Sequence, residues 1–369
     1  MLTEIPLTVL TGFLGSGKTT LLKSLLQQPT MAGTAVIVNE FGAVGIDDAL
    51  IRATTTSGPA DGQSGRHDRT VLLPSGCVCC EVQGDLVTAL LNLHADMLKG
   101  RIPDLQRVVL ETTGLADPGP IGLALISDRD LFRIYRLDGV ITTVDAQHGA
   151  AQVAEHMEPA RQIAAADRII LTKTDLVTSD QAHDVRVMIR ALNRSAPITR
   201  SVKGDVAPDA LFGIKAYEVR GSGPARDWLT ADAFAAGDTD HQHDCGDAAC
   251  QHPHHHDGHR HISEGHHPPA HLHGIRAFCL TFERPLDGRK LSSLIDMARM
   301  TYGQKMLRTK GILNIAGEDQ PFVVQGVNHE FYPVETLDAW PSDDRRSRLV
   351  FITKDLDEAT IRTVFKPLL

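Results

Sequence analysis

The sequence predicts an α/β protein in which a mostly parallel sheet, covered by helices on both faces, is followed by a smaller α+β domain. Three observations support this prediction. Short apolar runs typical of buried strands alternate with segments of helical spacing over roughly the first 215 residues. A glycine-rich loop connects the first apolar run to the first helical segment. After residue 273 the pattern changes to β-rich runs accompanied by two helical segments.

The predicted boundaries follow composition. Residues 1–215 are expected to form the α/β domain, residues 216–273 a histidine-rich linker, and residues 274–369 the α+β domain. Between residues 241 and 273 the linker contains 12 of the 18 histidines, and its functional interpretation is a metal buffer. A solvated spacer is the alternative. A second polar stretch, residues 52–70, interrupts the first domain and predicts a mobile loop.

The periodicity of apolar side chains assigns the individual elements. Strand-like runs lie at residues 5–10, 35–38, 108–110, 139–144 and 168–171. Helical spacing is found at residues 19–26, 85–99, 162–166 and 179–192. In the last hundred or so residues we expect a strand near 275–282, a helix near 286–300, three or four β-rich runs through 350–352, and a final helix near 358–365.

Charge and cysteine content exclude several classes of protein. The formal net charge of −9 argues against nucleic acid or an anionic membrane surface as the main partner. The chain has no apolar run of about 18 residues, as a spanning helix requires, and its N-terminal residues lack the basic and apolar pattern of a secretory signal, so we expect neither feature. Six cysteines are too few for a disulfide framework, and three of them fall within four positions. Such clustering is typical of metal or thiol chemistry in a reducing compartment, so we expect a cytoplasmic protein.

Residues 12–19 match the pattern G-x-x-x-x-G-K-[ST] between a predicted strand and a predicted helix. Glycines allow backbone N–H groups to turn toward a phosphate, and the helix N-terminus adds partial positive charge. Lys18 is expected to neutralise the β- and γ-phosphates, and the Thr19 hydroxyl to ligate Mg²⁺. The expected phosphate-binding residues are Gly12, Gly15, Ser16, Gly17, Lys18, Thr19 and Thr20.

An acid ends the apolar run at residues 108–110. Glu111 can hold Mg²⁺ through water, and Gly114 can offer its N–H to a γ-phosphate. The alternative is a strand that simply ends in a surface glutamate. No water-positioning glutamine follows Gly114, so slow intrinsic hydrolysis is expected. Glu40 is the candidate for orienting the attacking water or the Mg²⁺ shell.

The segment Thr172-Lys173-Thr174-Asp175 follows another predicted strand and favours GTP over ATP. The Asp175 carboxylate can accept from guanine N1–H and the 2-amino group, which adenine does not offer in that arrangement. Lys173 can stack its methylene groups along the base. The usual guanine motif begins with asparagine, and threonine at position 172 is expected to weaken guanine affinity.

Three thiols, Cys77, Cys79 and Cys80, stand in a glycine-containing turn before a predicted helix. A helix N-terminus lowers thiol pKa values and so favours the thiolates that bind soft metal ions. Zn²⁺ takes four ligands, so a water, Glu40 or a distant histidine would complete the shell. Ligand softness favours Zn²⁺ over Co²⁺. Inert buried cysteines and a redox pair are the alternatives.

These motifs together resemble the CobW-type family of metallochaperone GTPases, relatives of UreG and HypB. The shared segments are GFLGSGKTT (12–20), VNEFG (38–42), GCVCC (76–80), ETTGLADP (111–118), ADRIILTKTDL (166–176), the histidine-rich linker and the C-terminal run around residues 310–340. The resemblance implies a P-loop GTPase domain, a CobW-type C-terminal domain, and delivery of Zn²⁺ or Co²⁺ to a client as GTP turns over. Thr172 departs from the family pattern, as does Asn328-His329, where two histidines are common.

We therefore expect GTP hydrolysis with Mg²⁺ and metal transfer to a client metalloprotein. The C-terminal domain is expected to contact the client or a second copy of the chain, which would form a homodimer. Four alternatives stay open: a metal-storage protein with a vestigial GTPase, cobalt delivery for cobalamin synthesis, activation of a nitrile hydratase, and a small-molecule kinase that uses the same P-loop.

Overall fold

The computed structural model describes residues 4–38, 70–72, 81–213 and 272–369, and two sheets lie within them. The first sheet has seven parallel strands in the spatial order β3-β2-β4-β1-β5-β6-β7. Its strands are β1 (Ile5–Gly12), β2 (Thr34–Val38), β3 (Thr70–Leu72), β4 (Arg107–Glu111), β5 (Tyr135–Asp145), β6 (Arg168–Thr172) and β7 (Ile198–Arg200). The predicted parallel α/β domain is confirmed.

Seven helices lie between these strands in the described part of the chain. They are α1 (Lys18–Leu26), α2 (Glu81–Leu98), α3 (Gly119–Ser127), α4 (Arg129–Ile134), α5 (Gly149–Glu155), α6 (Met157–Ala165) and α7 (Ser179–Leu192). Helix α6 begins at Met157, ahead of the predicted segment 162–166, and contains Pro159 in its first turn. Proline is tolerated there, since the first N–H groups of a helix have no partner within the helix.

Alternating side chains of the strands fill two separate hydrophobic clusters, one on each face of the sheet. Along β4, Val108 and Leu110 pack in one cluster with Leu90 of α2. Val109 packs in the other cluster with Leu21 of α1. A strand that is buried on both faces explains why the sequence shows continuous apolar runs here rather than alternation.

The second sheet is antiparallel, with the order β11-β10-β9-β13-β8, and β12 pairs with β10. Its elements are β8 (Ile275–Phe282), α8 (Gly288–Tyr302), β9 (Met306–Leu313), β10 (Phe322–Val327), β11 (Glu330–Phe331), β12 (Glu335–Thr336), β13 (Ser347–Lys354) and α9 (Glu358–Phe365). Phe278, Phe351 and Phe365 form the aromatic centre of its core. The expected α+β fold of this domain is confirmed.

The two sheets share part of one hydrophobic core. Ile275, Leu307 and Ile352 of the second sheet lie in the same buried cluster as Ile163 of α6 and Ile189 of α7. We call this cluster the shared core. It brings strand β9 of the C-terminal domain against helix α6 of the first domain.

A buried ion cluster lies beside the shared core. Asp167, which precedes β6, pairs with Arg308 and Lys310 of β9. Asp167 and Arg308 are both almost completely buried. Within the described ranges, no helix is both long and apolar enough to span a bilayer.

Candidate functional site

The glycine-rich loop connects the end of β1 to the start of α1. Gly12 has φ 144°, and a Cβ atom there would lie 2.2 Å from Thr143 Oγ1, so the position admits only glycine. Gly17 has φ 93° and directly precedes the helix. Both residues adopt backbone conformations that side chains disfavour. The loop therefore turns tightly into the helix N-terminus, as anion binding requires.

Lys18 and Thr19 are the first two residues of α1. The Lys18 ammonium donates to the carbonyl oxygens of Gly12 (2.8 Å) and Phe13 (3.2 Å). Thr19 Oγ1 donates to Glu111 Oε1 at 3.0 Å, because the parallel neighbours β1 and β4 end side by side. A hydroxyl beside a carboxylate supplies the oxygen ligands that Mg²⁺ prefers.

Most of the predicted nucleotide-binding residues line a single cleft of about 390 Å³. The lining includes Gly15, Gly17, Lys18, Thr19, Thr20, Glu111, Gly114 and Lys173. Gly12 and Ser16 lie in the same loop, and Ser16 Oγ is 2.7 Å from Thr143 Oγ1. The structure thus brings the predicted phosphate-binding loop, the end of β4 and the first residue after β6 around one space.

Thr172 links the predicted base-binding segment to the phosphate loop. Its buried hydroxyl lies 2.7 Å from the Ser16 carbonyl oxygen and 3.1 Å from that of Val144, and it donates to them. The sequence predicts weaker guanine affinity from the loss of the asparagine amide. The structure adds that the threonine hydroxyl still joins β6 to the phosphate loop.

Lys173 directly follows β6 and is held by a carboxylate that the sequence analysis missed. Lys173 has φ 56°, and its Nζ donates to Asp145 Oδ2 at 2.7 Å. Asp145 also accepts from the Gln147 N–H and lies 3.2 Å from His148 Nδ1. Burial opposes ionisation of Asp145, but these hydrogen bonds outweigh it and lower its pKa. The sequence does contain a pattern that could have identified Asp145, because this residue ends an apolar run as Glu111 does.

Asp175 lies in the short 3₁₀ turn Thr174–Leu176, and its side chain is exposed. It stands two residues beyond Lys173, which lines the cleft. An exposed carboxylate near the end of a parallel strand is accessible to a ligand that approaches along the carboxyl edge of the sheet.

The segment after Glu111 packs directly on the phosphate loop. A Cβ atom on Gly114 would lie 2.6 Å from Leu14 Cδ2 and 2.7 Å from the Leu14 nitrogen. Gln162 of α6 donates to the carbonyl oxygens of Gly114 and Ala116. No local pattern in the sequence points to Gln162, which stands 48 residues beyond Gly114 and reaches it only through tertiary packing.

The predicted metal ligands Cys77, Cys79, Cys80 and Glu40 lie outside the described residues. Helix α2 begins at Glu81, directly after Cys80 in sequence. In the described ranges, no group of three His, Cys, Asp or Glu side chains is arranged to hold a metal ion. Asn328 occupies a turn with φ 54°, and His329 Nε2 lies 3.1 Å from Glu330 Oε1.

Family models, relatives of known sequence and a solved structure all relate this chain to the same family. Residues 6–200 match the family model of the CobW/HypB/UreG nucleotide-binding domain, and residues 275–369 match the cobalamin synthesis protein cobW C-terminal domain. The zinc chaperone YjiA of Escherichia coli is 32% identical over 98% of both chains. The zinc-regulated GTPase metalloprotein activator 1 of Schizosaccharomyces pombe is 34% identical over 55% of this chain and 47% of its own length. The crystal structure of Zn(II)-bound YjiA GTPase aligns with 28% identity and a TM-score of 0.66, covering 100% of this chain and 99% of that one.

Proposed function

Because the chain belongs to the CobW/HypB/UreG family of nucleotide-binding proteins, we propose that it is a metallochaperone that hydrolyses GTP and delivers Zn²⁺ to client metalloproteins. The observation that carries this proposal is the cleft in which Lys18, Thr19 and Glu111 converge with Lys173. In the proposed complex the phosphates lie against Lys18, Thr19 and Glu111, and the base lies on the side of Lys173.

Each residue of the cleft has a chemical role in the proposed reaction. Lys18 stabilises negative charge on the β- and γ-phosphates, and the Gly114 N–H binds the γ-phosphate. Thr19 and Glu111 provide the oxygens that would hold Mg²⁺, which neutralises phosphate charge when bound. Glu40 is the proposed residue for orienting the attacking water. The remaining phosphate-binding residues are Gly12, Gly15, Ser16, Gly17 and Thr20.

Guanine selection is proposed for the segment after β6. The Asp175 carboxylate accepts from the base N1–H and 2-amino groups, while Lys173 packs along the ring. Thr172 supports both residues indirectly, through its hydrogen bond to the phosphate loop.

Asp175→Asn tests the guanine assignment. An amide cannot accept two hydrogen bonds from guanine, but it can donate to the 2-oxo group of xanthine. We expect the affinity for GTP to fall about 100-fold, as loss of a charge-assisted pair of hydrogen bonds implies, with XTP now bound better than GTP. Equilibrium binding of fluorescent nucleotides measures both values. Asp180→Asn, at an exposed position in the first turn of α7, is the control; unchanged preference in Asp175→Asn would reject the assignment.

The cargo of the proposed cycle is Zn²⁺, bound by Cys77, Cys79 and Cys80. Thiolate softness supports this choice, as do the names of the zinc chaperones that resemble the chain. Co²⁺ is the competing cargo. The partner is a client metalloprotein that receives the ion, and a second copy of the chain is a further proposed partner.

Metal affinity in two nucleotide states tests whether GTP controls the cargo. Zn²⁺ and Co²⁺ affinities are measured by chelator competition with GDP and with a non-hydrolysable GTP analogue. A variant lacking residues 241–273 removes the clustered histidines, and Cys77→Ala in the same background is the control. We expect the affinity to differ at least about tenfold between states, equal to about 1.4 kcal/mol of coupling. Equal affinity in both states would instead support a metal-storage protein with an unrelated GTPase.

A further inference from the structure

Gln162 is a buried polar side chain that contacts the proposed γ-phosphate segment. It lies on α6 with no exposed surface. Its Nε2 donates to the carbonyl oxygen of Gly114 at 3.1 Å and to that of Ala116 at 3.0 Å. Its Oε1 is buried without a hydrogen-bond partner among the described residues. An unpaired buried acceptor is unfavourable, so the two donated bonds must stabilise this orientation of the amide.

The segment that Gln162 holds is a turn around Gly114, closed by a hydrogen bond from the Ala116 N–H to the Thr113 carbonyl oxygen at 3.2 Å. Gly114 has no side chain, and its backbone can adopt many conformations. Leu115 is largely exposed, so it does not anchor the segment by packing. Contact with Leu14 restrains Gly114 from the side of the phosphate loop, and Gln162 restrains it from the side of α6.

Helix α6 is held in place by hydrogen bonds to β5 and to Asn193, so the position of Gln162 is fixed relative to the sheet. The backbone carbonyl of Gln162 accepts from Thr142 Oγ1 of β5 at 2.9 Å. Asn193 Nδ2 donates to the carbonyl oxygens of Ile163 (2.8 Å) and Ala166 (3.0 Å) at the end of the helix. The segment therefore takes its position from the sheet through Gln162.

We propose that Gln162 is a positioning residue for the nucleotide reaction, which orients the segment around Gly114 so that it binds the γ-phosphate and distinguishes GTP from GDP. The proposal rests on the proposed function, in which Gly114 contacts that phosphate. Gln162 acts through backbone carbonyls and does not touch the nucleotide. Its removal should therefore affect the triphosphate state far more than the diphosphate state.

Gln162→Met tests the proposal in the full-length protein. Methionine keeps the length and burial of the side chain but removes both donors. We expect GDP affinity within about twofold of the wild-type value, whereas affinity for the non-hydrolysable GTP analogue and kcat should each fall about tenfold. Fluorescent-nucleotide titration and phosphate release measure these quantities.

Asn193→Leu is the matched control, because it removes buried amide hydrogen bonds from the other end of the same helix. It should lower the denaturation midpoint without changing the ratio of the two nucleotide affinities. If Gln162→Met behaves in the same way, Gln162 is only structural and the proposal is overturned. If the wild-type protein binds neither nucleotide, the proposed function fails instead.

Gln162→Glu provides an independent test if the methionine variant does not fold. An ionised carboxylate repels the two carbonyls, but a protonated carboxyl donates one hydrogen bond. Burial raises the pKa of such a group. Relative to wild type at each pH, affinity for the GTP analogue should recover as pH falls from 8 to about 5.5, while GDP affinity stays level. A variant whose ratio of GTP-analogue to GDP affinity equals the wild-type ratio at every pH in this range would overturn the proposal.

Discussion

Single hydroxyl groups connect segments of the proposed nucleotide cleft that are far apart in sequence. Thr19 reaches Glu111 across 92 positions, and Thr172 reaches Ser16 across 156. Thr19 contacts the end of β4, which lies next to β1 in the sheet, and Ser16 contacts the end of β6, which lies beyond β5. At this scale the site depends on a few short polar side chains whose partners are fixed by the parallel sheet.

Thr172→Val removes one such connection without changing the shape of the side chain. The carbonyl oxygens of Ser16 and Val144 lose their hydroxyl donor. We expect the free energy of unfolding to fall by about 1–3 kcal/mol, and GDP to bind more weakly because the phosphate loop is less well held. Urea denaturation and nucleotide titration measure the two effects. Thr172→Ser keeps the hydroxyl and should resemble wild type; equal losses in both variants would contradict the prediction.

Among the elements, helix α7 begins shortly after the segment that carries the proposed base-binding residues. The helix is capped by Thr178, whose Oγ1 accepts from the Gln181 N–H, while the Gln181 side chain accepts from the Thr178 N–H. This reciprocal pair satisfies two N–H groups at the helix start. The cap follows Asp175 by three residues, so it also fixes where the segment after β6 ends.

Thr178→Ala should destabilise the protein by about 1 kcal/mol, the ordinary cost of losing a side-chain cap. Denaturant unfolding provides the measurement, and Thr178→Ser is the control because serine caps equally well. Loss of stability in the serine variant as well would mean that packing of the threonine methyl group, rather than capping, is responsible.

The sequence is sufficient to predict those elements whose signal is local. The glycine-rich loop and the strand before it are found from spacing alone, because phosphate binding requires particular residues at fixed intervals. Helix α2 starts at Glu81 rather than near residue 85, and β5 extends to Tyr135 rather than starting near 139. Gln162 could not be predicted, because its role depends on a packing contact between distant segments.

At the scale of the whole molecule, the two domains are joined by burial and by charge. The shared core takes apolar side chains from both sheets, and Asp167 lies between Arg308 and Lys310 beside it. Burial opposes ionisation of Asp167, but the two cations outweigh it and lower its pKa to about 2. The carboxylate is therefore charged at neutral pH.

The stability of the protein should depend on pH through this carboxylate. Its folded pKa lies below the unfolded value of about 3.9, so its contribution is complete above about pH 4 and is lost as pH falls through about 2. In Asp167→Asn the side chain does not titrate, so this part of the pH dependence of the free energy of unfolding disappears. The variant should also be less stable at neutral pH by about 3–5 kcal/mol, since two buried cations lose this counter-ion.

Urea denaturation from pH 7 to pH 2.5 measures both effects. Asp338→Asn, at an exposed position in the C-terminal domain, removes a carboxylate away from the ion cluster; it is the control and should follow the wild-type curve. An Asp167→Asn variant with the neutral-pH stability of wild type would show that the ion cluster does not join the domains.

The shared core also limits how such proteins recombine. A chimera that attached the C-terminal domain of a relative to residues 1–213 would bring in a foreign β9 to face helix α6 and Asp167. Such a graft succeeds when the incoming strand carries matching apolar side chains and basic groups, or when the α6 surface is exchanged together with it. The part that must be exchanged together is therefore the C-terminal sheet plus the face of α6 and α7 on which it packs. This part crosses the boundary between the two domains.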